Sequence, residues 1–195
     1  MNLKRLLLPF LLVSALIADS TWAMSPVKIA KTGPGSRIAG IDISRWQHPD
    51  DKPIDFQKMH DAGISFVMIK ASDTRDDADQ LSVKYLKGDR AAAQAAGIYT
   101  GFYHYAVLPN VTSPSAIIRD AKVQALKVTW RIASLGGFNE MDLPVALDLE
   151  NNCIQLSRTK VCKKYATRSA ATLWSKTFLE SLKNKTLRTP LIYSS

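Results

Sequence analysis

Five apolar runs punctuate this chain, and a helix-like stretch separates each run from the next. The runs are 38–44 (IAGIDIS), 64–72 (ISFVMIKAS), 98–106 (IYTGFYHYA), 144–150 (PVALDLE) and 191–194 (LIYS). They are continuous rather than cleanly alternating, as strands covered on both faces should be. Between them, 55–62 carries Phe56 and Met59 at helical spacing before Gly63. The alanine-rich segment 81–96 is closed by Gly97. In 114–135, Pro114 occupies a first-turn position and Gly136-Gly137 ends the pattern; 164–182 reads as a further helix. Strands alternating with helices predict parallel β/α units. A doubly wound sheet and a (β/α) barrel both satisfy that order. No G-x-G-x-x-G follows any strand, which argues against a dinucleotide-binding sheet.

The ends of the chain bear on location. Residues 1–23 begin with Lys4 and Arg5, continue through an apolar stretch and end on Thr21-Trp22-Ala23. A basic start, a short apolar core and a small terminal residue predict a secretory signal peptide, with the apolar part too short for an ordinary membrane span. Residues 24–37 are polar with Gly and Pro and read as a linker, leaving 38–195 as one domain with one core. The expected location is therefore secreted or periplasmic, without stable membrane insertion, and the expected state is a monomer. The net charge of +9 points to an anionic partner. Export and the lack of a dense Lys/Arg run with interleaved aromatics argue against nucleic acid. In an oxidising compartment the only two cysteines, Cys153 and Cys162, are expected to pair, closing a short loop.

Polar residues gather late in the strands: Asp42 in the first, Lys70 in the second, Tyr103, His104 and Tyr105 in the third, Asp148 and Glu150 in the fourth. In parallel sheets that edge forms the site. Side chains alternate across a strand, so Asp148 and Glu150 share one side while Val145, Leu147 and Leu149 take the other. Two ionised carboxylates at close range repel, which raises one pKa and retains a proton near neutral pH. Glycosidic cleavage needs such a combination, an acid for the leaving oxygen and an anion for the oxocarbenium-like transition state. By the same alternation Tyr103 is the expected sugar-contacting aromatic and His104 a structural histidine. Lys70 either neutralises the carboxylates or touches substrate. Trp46 and Gln47 follow the first strand, where a loop can line a sugar groove, although Trp46 fits packing equally well.

These residues resemble glycoside hydrolase family 25, the Chalaropsis-type lysozymes or N-acetylmuramidases. The similarity rests on Gly40-Ile41-Asp42-Ile43-Ser44 with Trp46-Gln47; on residues 66–72; on Gly101-Phe102-Tyr103-His104-Tyr105; on 144–150; and on Pro190-Leu191-Ile192-Tyr193, in family order. The resemblance implies a TIM-like (β/α) barrel, incomplete here, of which 38–195 carries about five of eight strands. It implies hydrolysis of the β-1,4 bond between N-acetylmuramic acid and N-acetylglucosamine in peptidoglycan, with retention. The attacking group is either an enzyme carboxylate or the substrate's own acetamido oxygen. Glu150 corresponds to the catalytic acid; Asp148 and Asp42 correspond to carboxylates that support charge and orient substrate. Tyr103, Lys70, Asp73 and Gln47 are the expected substrate contacts. No metal or cofactor is implied. Where the family carries Thr-Glu-Gly, this chain has Ser72-Asp73-Thr74, an acid shorter by one methylene. The competing expectation is a non-catalytic, truncated relative that only binds peptidoglycan.

Overall fold

The computed structural model describes residues 37–194. The signal-peptide segment 1–23 and all but the last residue of the 24–37 linker lie outside the described residues. Five strands form one sheet: β1 (Gly40–Ile43), β2 (Phe66–Asp73), β3 (Tyr99–Tyr105), β4 (Ala146–Asp148) and β7 (Leu191–Tyr193). Each pairs in parallel with the one before it, and the sheet curls into an incomplete barrel. Helices α1 (Phe56–Asp61), α2 (Asp76–Ala95), α3 (Pro114–Ser134) and α4 (Arg168–Thr186) connect successive strands. A separate antiparallel hairpin, β5 (Cys153–Leu156) with β6 (Cys162–Tyr165), lies between β4 and α4.

Local chemistry sets the helix ends. Ser113 accepts from Ala116 N ahead of Pro114, and Thr167 accepts from Ala170 N at the start of α4. Such caps satisfy donors that the first turn leaves open. α2 starts at Asp76, earlier than the expected 81, because Asp76, Asp77 and Asp79 favour the positive end of the helix dipole. α4 starts at Arg168, later than the expected 164. Cys162–Tyr165 is instead held in the hairpin by strand pairing and by a disulfide to Cys153, with Cα atoms 5.8 Å apart.

Strand alternation divides the core in two. Towards the helices, Ile43, Val67, Ile69, Phe102, Val145 and Leu147 pack with Leu86, Ala125, Val128, Trp174 and Phe178. The inner face holds only a small cluster, Met68, Tyr103 and Ala146, with Phe66, Tyr105 and Leu143 against it. Two glycines make room for it. A Cβ on Gly40 would lie 2.1 Å from the Phe66 ring, and one on Gly101 would lie 2.2 Å from Met68 Sδ. At the strands' N-terminal ends a buried polar network closes the floor. Arg90 donates to the Asp142 carboxylate and to the carbonyls of Leu135 and Gly137, while Thr100 Oγ1 donates to Asp142 Oδ1 at 2.7 Å.

The hairpin has no sheet partner beyond its own two strands, so the disulfide carries much of its order. Replacing both cysteines by serine is expected to lower stability by about 2–3 kcal/mol, from the entropy of a loop this short. Urea unfolding of the two proteins, compared with and without reductant, measures it; the reductant should affect only the parent.

Candidate active site

The strands' C-terminal edge opens into a cleft of about 470 Å³. Asp42, Lys70, Tyr103, Asp148, Glu150 and Gln47 all line it. They come from four strands and two loops, and the register explains how they meet. Lys70, Tyr103 and Ala146 lie in one lateral row, and Asp73, Tyr105, Asp148 and Tyr193 in the next row outward. Asp42 is exposed on the inner side of β1, while its neighbours Ile41 and Ile43 face the helices.

β4 is shorter than the expected 144–150. Pairing with β7 ends at Asp148, and Glu150 belongs to the loop that follows. The two carboxylates therefore differ in environment. Asp148 is 3% exposed, and its Oδ1 is buried with no hydrogen-bond partner among the described residues. Glu150 is exposed at the rim. Burial, and then the negative charge of Glu150, push the Asp148 carboxyl up to about 6, against opposing contributions from the Tyr193 hydroxyl and Lys70. One carboxyl of the two is thus raised, as the spacing predicted, and it is Asp148. Tyr103 and Tyr193 hydroxyls are both raised, first by burial and then by nearby carboxylates, so they remain neutral donors.

Asp73 departs from its expected role as a substrate contact. It is fully buried and does not line the cleft. A register shift between Lys70 and Ser72 turns the backbone there. Ser72 is thereby paired with His104, whose Nδ1 lies 2.8 Å from Ser72 Oγ. Burial alone would raise the Asp73 carboxyl, but hydrogen bonds from Arg75 and Lys70 hold it at about 2. His104 is fully buried and lies against Phe178; burial pushes it down to about 3, so it is neutral and structural.

The loop after β1 is held in two ways. Ser44 and Gln47 form a reciprocal cap, with Ser44 N donating to Gln47 Oε1 at 2.7 Å. His48 then anchors the loop to α2. Its ring contacts Lys52 O and Asp89 Oδ2, each at 3.0 Å, and stacks on Tyr85 at 3.8 Å. Trp46 is left 74% exposed at the cleft, with the Arg45 guanidinium 4.0 Å from its ring centre. Packing therefore does not account for Trp46. The cleft also contains Arg75, which sequence reasoning passed over. Its signal was a second cation just past the end of a strand that already ends in a lysine and an aspartate.

Comparison with known proteins agrees with this geometry. The family model described as glycosyl hydrolases family 25 matches residues 41–195. No curated protein sequence matches significantly. Among solved structures, a muramidase from Acremonium alcalophilum is 28% identical, with a TM-score of 0.57 over 81% of this chain and 65% of that one. A bacterial lysozyme from Streptomyces coelicolor is 30% identical, with a TM-score of 0.53 over 80% of this chain and 61% of that one. The modular autolysin LytC from Streptococcus pneumoniae, at 20% identity and a TM-score of 0.59, shares the fold over 80% of this chain and 32% of its own. The chain thus spans less than two thirds of the length of each of these proteins. The match over residues 41–195 places this chain in glycosyl hydrolases family 25.

Proposed function

We propose that this protein is an exported lysozyme that hydrolyses the β-1,4 bond between N-acetylmuramic acid and N-acetylglucosamine in peptidoglycan, with retention and without a metal or cofactor. The observation that carries the reading is the Asp148–Glu150 pair, one carboxyl buried and raised to about 6, the other at the rim of the same open cleft. Glu150, at the rim, can reach a glycosidic oxygen and act as the acid. Asp148 presents an unpartnered buried oxygen to whatever positive charge or N–H the substrate brings. Asp42 faces them from β1. Tyr103, a neutral donor, and the exposed Trp46 ring supply hydrogen-bonding and stacking surface for sugars. An acid pair in an open cleft favours catalysis over the binding-only alternative. Family membership and the titles of the muramidase and lysozyme structures support the substrate class. The monomeric state and the secreted or periplasmic location belong to the same proposal; no helix among the described residues is long and apolar enough to cross a membrane.

Turbidity clearing of purified cell walls, with release of reducing ends, tests this directly. Glu150→Gln should lose at least ~10²-fold in rate, as expected for removal of a placed acid. Equal clearing by both proteins would overturn the role of Glu150, and binding without reducing ends would leave only the wall-binding reading.

The Asp148 carboxyl changes its charge near pH 6. Stability should respond in the same window. The folded-state pKa of Asp148 lies above its unfolded value, so its contribution is full below about pH 4 and lost as pH rises through about 6. Asp148→Asn should therefore be more stable than the parent at pH 7, by at most about 3 kcal/mol, and lose that advantage near pH 4. Denaturant melts at the two pH values check the sign.

A further inference from the structure

The cleft holds two cations on a single buried acid. Arg75 Nε and Nη2 donate to the two oxygens of Asp73, each at 2.9 Å, and the Arg75 backbone N–H donates to Oδ1 at 2.9 Å. Lys70 Nζ donates to Oδ2 at 2.6 Å. Both cations also lie over the face of Tyr105, Nζ at 4.6 Å and Cζ at 5.1 Å from its centre. Asp73 is wholly buried, whereas the Arg75 side chain is 54% exposed and lines the cleft. One buried negative charge therefore fixes two positive ones, in a cleft that Asp42, Asp77, Asp148 and Glu150 also line. The fork of Arg75 that Asp73 occupies is Nε with Nη2, so the Nη1 edge remains for another acceptor. A guanidinium fixed in advance loses little freedom when it binds a second anion. Register puts Asp73 beside Tyr105 and Tyr105 beside Asp148, two strand spacings or roughly 10 Å from the acid pair.

We propose that Arg75, with Lys70 beside it, is an anion subsite that reads a carboxylate on the side chain of an acidic sugar close to the scissile bond. The inference rests on the lysozyme reading, and it makes the substrate class an acid-bearing glycan rather than a neutral one. Two sources offer that carboxylate: the lactyl acid of a peptide-free N-acetylmuramic acid, and the acidic groups of an attached stem peptide. Asp73 is the positioning residue that holds the pair in place.

Calorimetric binding to the Glu150→Gln protein, which should not consume the ligand, separates the possibilities. The probes are a soluble muramic-acid tetrasaccharide, its lactyl methylamide, and the same glycan bearing a short stem peptide. Tighter binding of the free acid than of the amide, by about tenfold as a charge-assisted hydrogen bond gives, assigns the lactyl carboxylate. Tighter binding of only the peptide-bearing glycan assigns the stem carboxylate. Either preference should collapse in Glu150→Gln/Arg75→Gln, return in part in Glu150→Gln/Arg75→Lys, and weaken with salt. Equal affinity for all three glycans overturns the subsite while leaving the lysozyme reading standing. A preference that survives Arg75→Gln in a folded protein overturns the assignment to Arg75. No binding of any glycan defeats the lysozyme reading and the subsite with it. The comparison among the three glycans needs no change at Arg75, so a misfolded Arg75 variant leaves the inference falsifiable.

Discussion

The pleat of a parallel strand is the constraint on which the rest of this protein depends. Each strand must send alternate residues to two faces, and the two faces here have different tasks. One packs against four helices and is mostly apolar, with Thr100 and His104 as buried polar exceptions. The other is apolar only at its base, where Phe66 and Met68 fill the space that Gly40 and Gly101 leave open. Further along, the same inward positions become Asp42, Lys70, Tyr103, Tyr105 and Asp148. No separate device is needed to assemble the cleft. A polar residue placed two positions beyond a core residue arrives at the edge on the correct side.

The register shift in β2 is the exception to that simple rule, and it accounts for what the cleft can do. Without it, Ser72 would follow Lys70 onto the inner face. With it, Ser72 turns to His104, and Asp73 comes level with Tyr105. A fully buried carboxylate is costly unless it is paired and hydrogen-bonded. Asp73 meets both conditions through Lys70, Arg75 and the Arg75 backbone, and Lys127 donates to its carbonyl at 3.0 Å. The shorter side chain that looked like a weakened substrate contact is instead the foundation for two cations.

Sequence alone carried the fold class, because continuous apolar runs separated by helical periodicity admit few arrangements. It also carried Asp42, Lys70, Tyr103, Asp148 and Glu150 to one edge, since alternation within a strand is a local property. It failed where position depends on contacts made elsewhere. The burial of Asp73 follows from a bulge that no periodicity reveals. The last two residues of β6 were read as the start of a helix, because Lys164 and Tyr165 are compatible with one until pairing with β5 holds them extended. The difference in burial between Asp148 and Glu150, and with it the raised carboxyl of Asp148, follows from where β7 stops covering β4, and that is a tertiary fact. Trp46 could be assigned to packing or to the groove only once its exposure was known.

The two ends of the barrel divide stability and chemistry between them. At the floor, Asp142 is a buried carboxylate surrounded by donors from Arg90, Thr100, Gln94 and the backbone of Asn139. At the rim, Asp148 is equally buried but keeps one oxygen without a hydrogen-bond partner among the described residues and faces the like charge of Glu150. The second arrangement disfavours the ionised form of Asp148. The buried oxygen of Asp148 is left for the substrate to meet, and the saturated network around Asp142 is the kind of feature that lets the fold tolerate it.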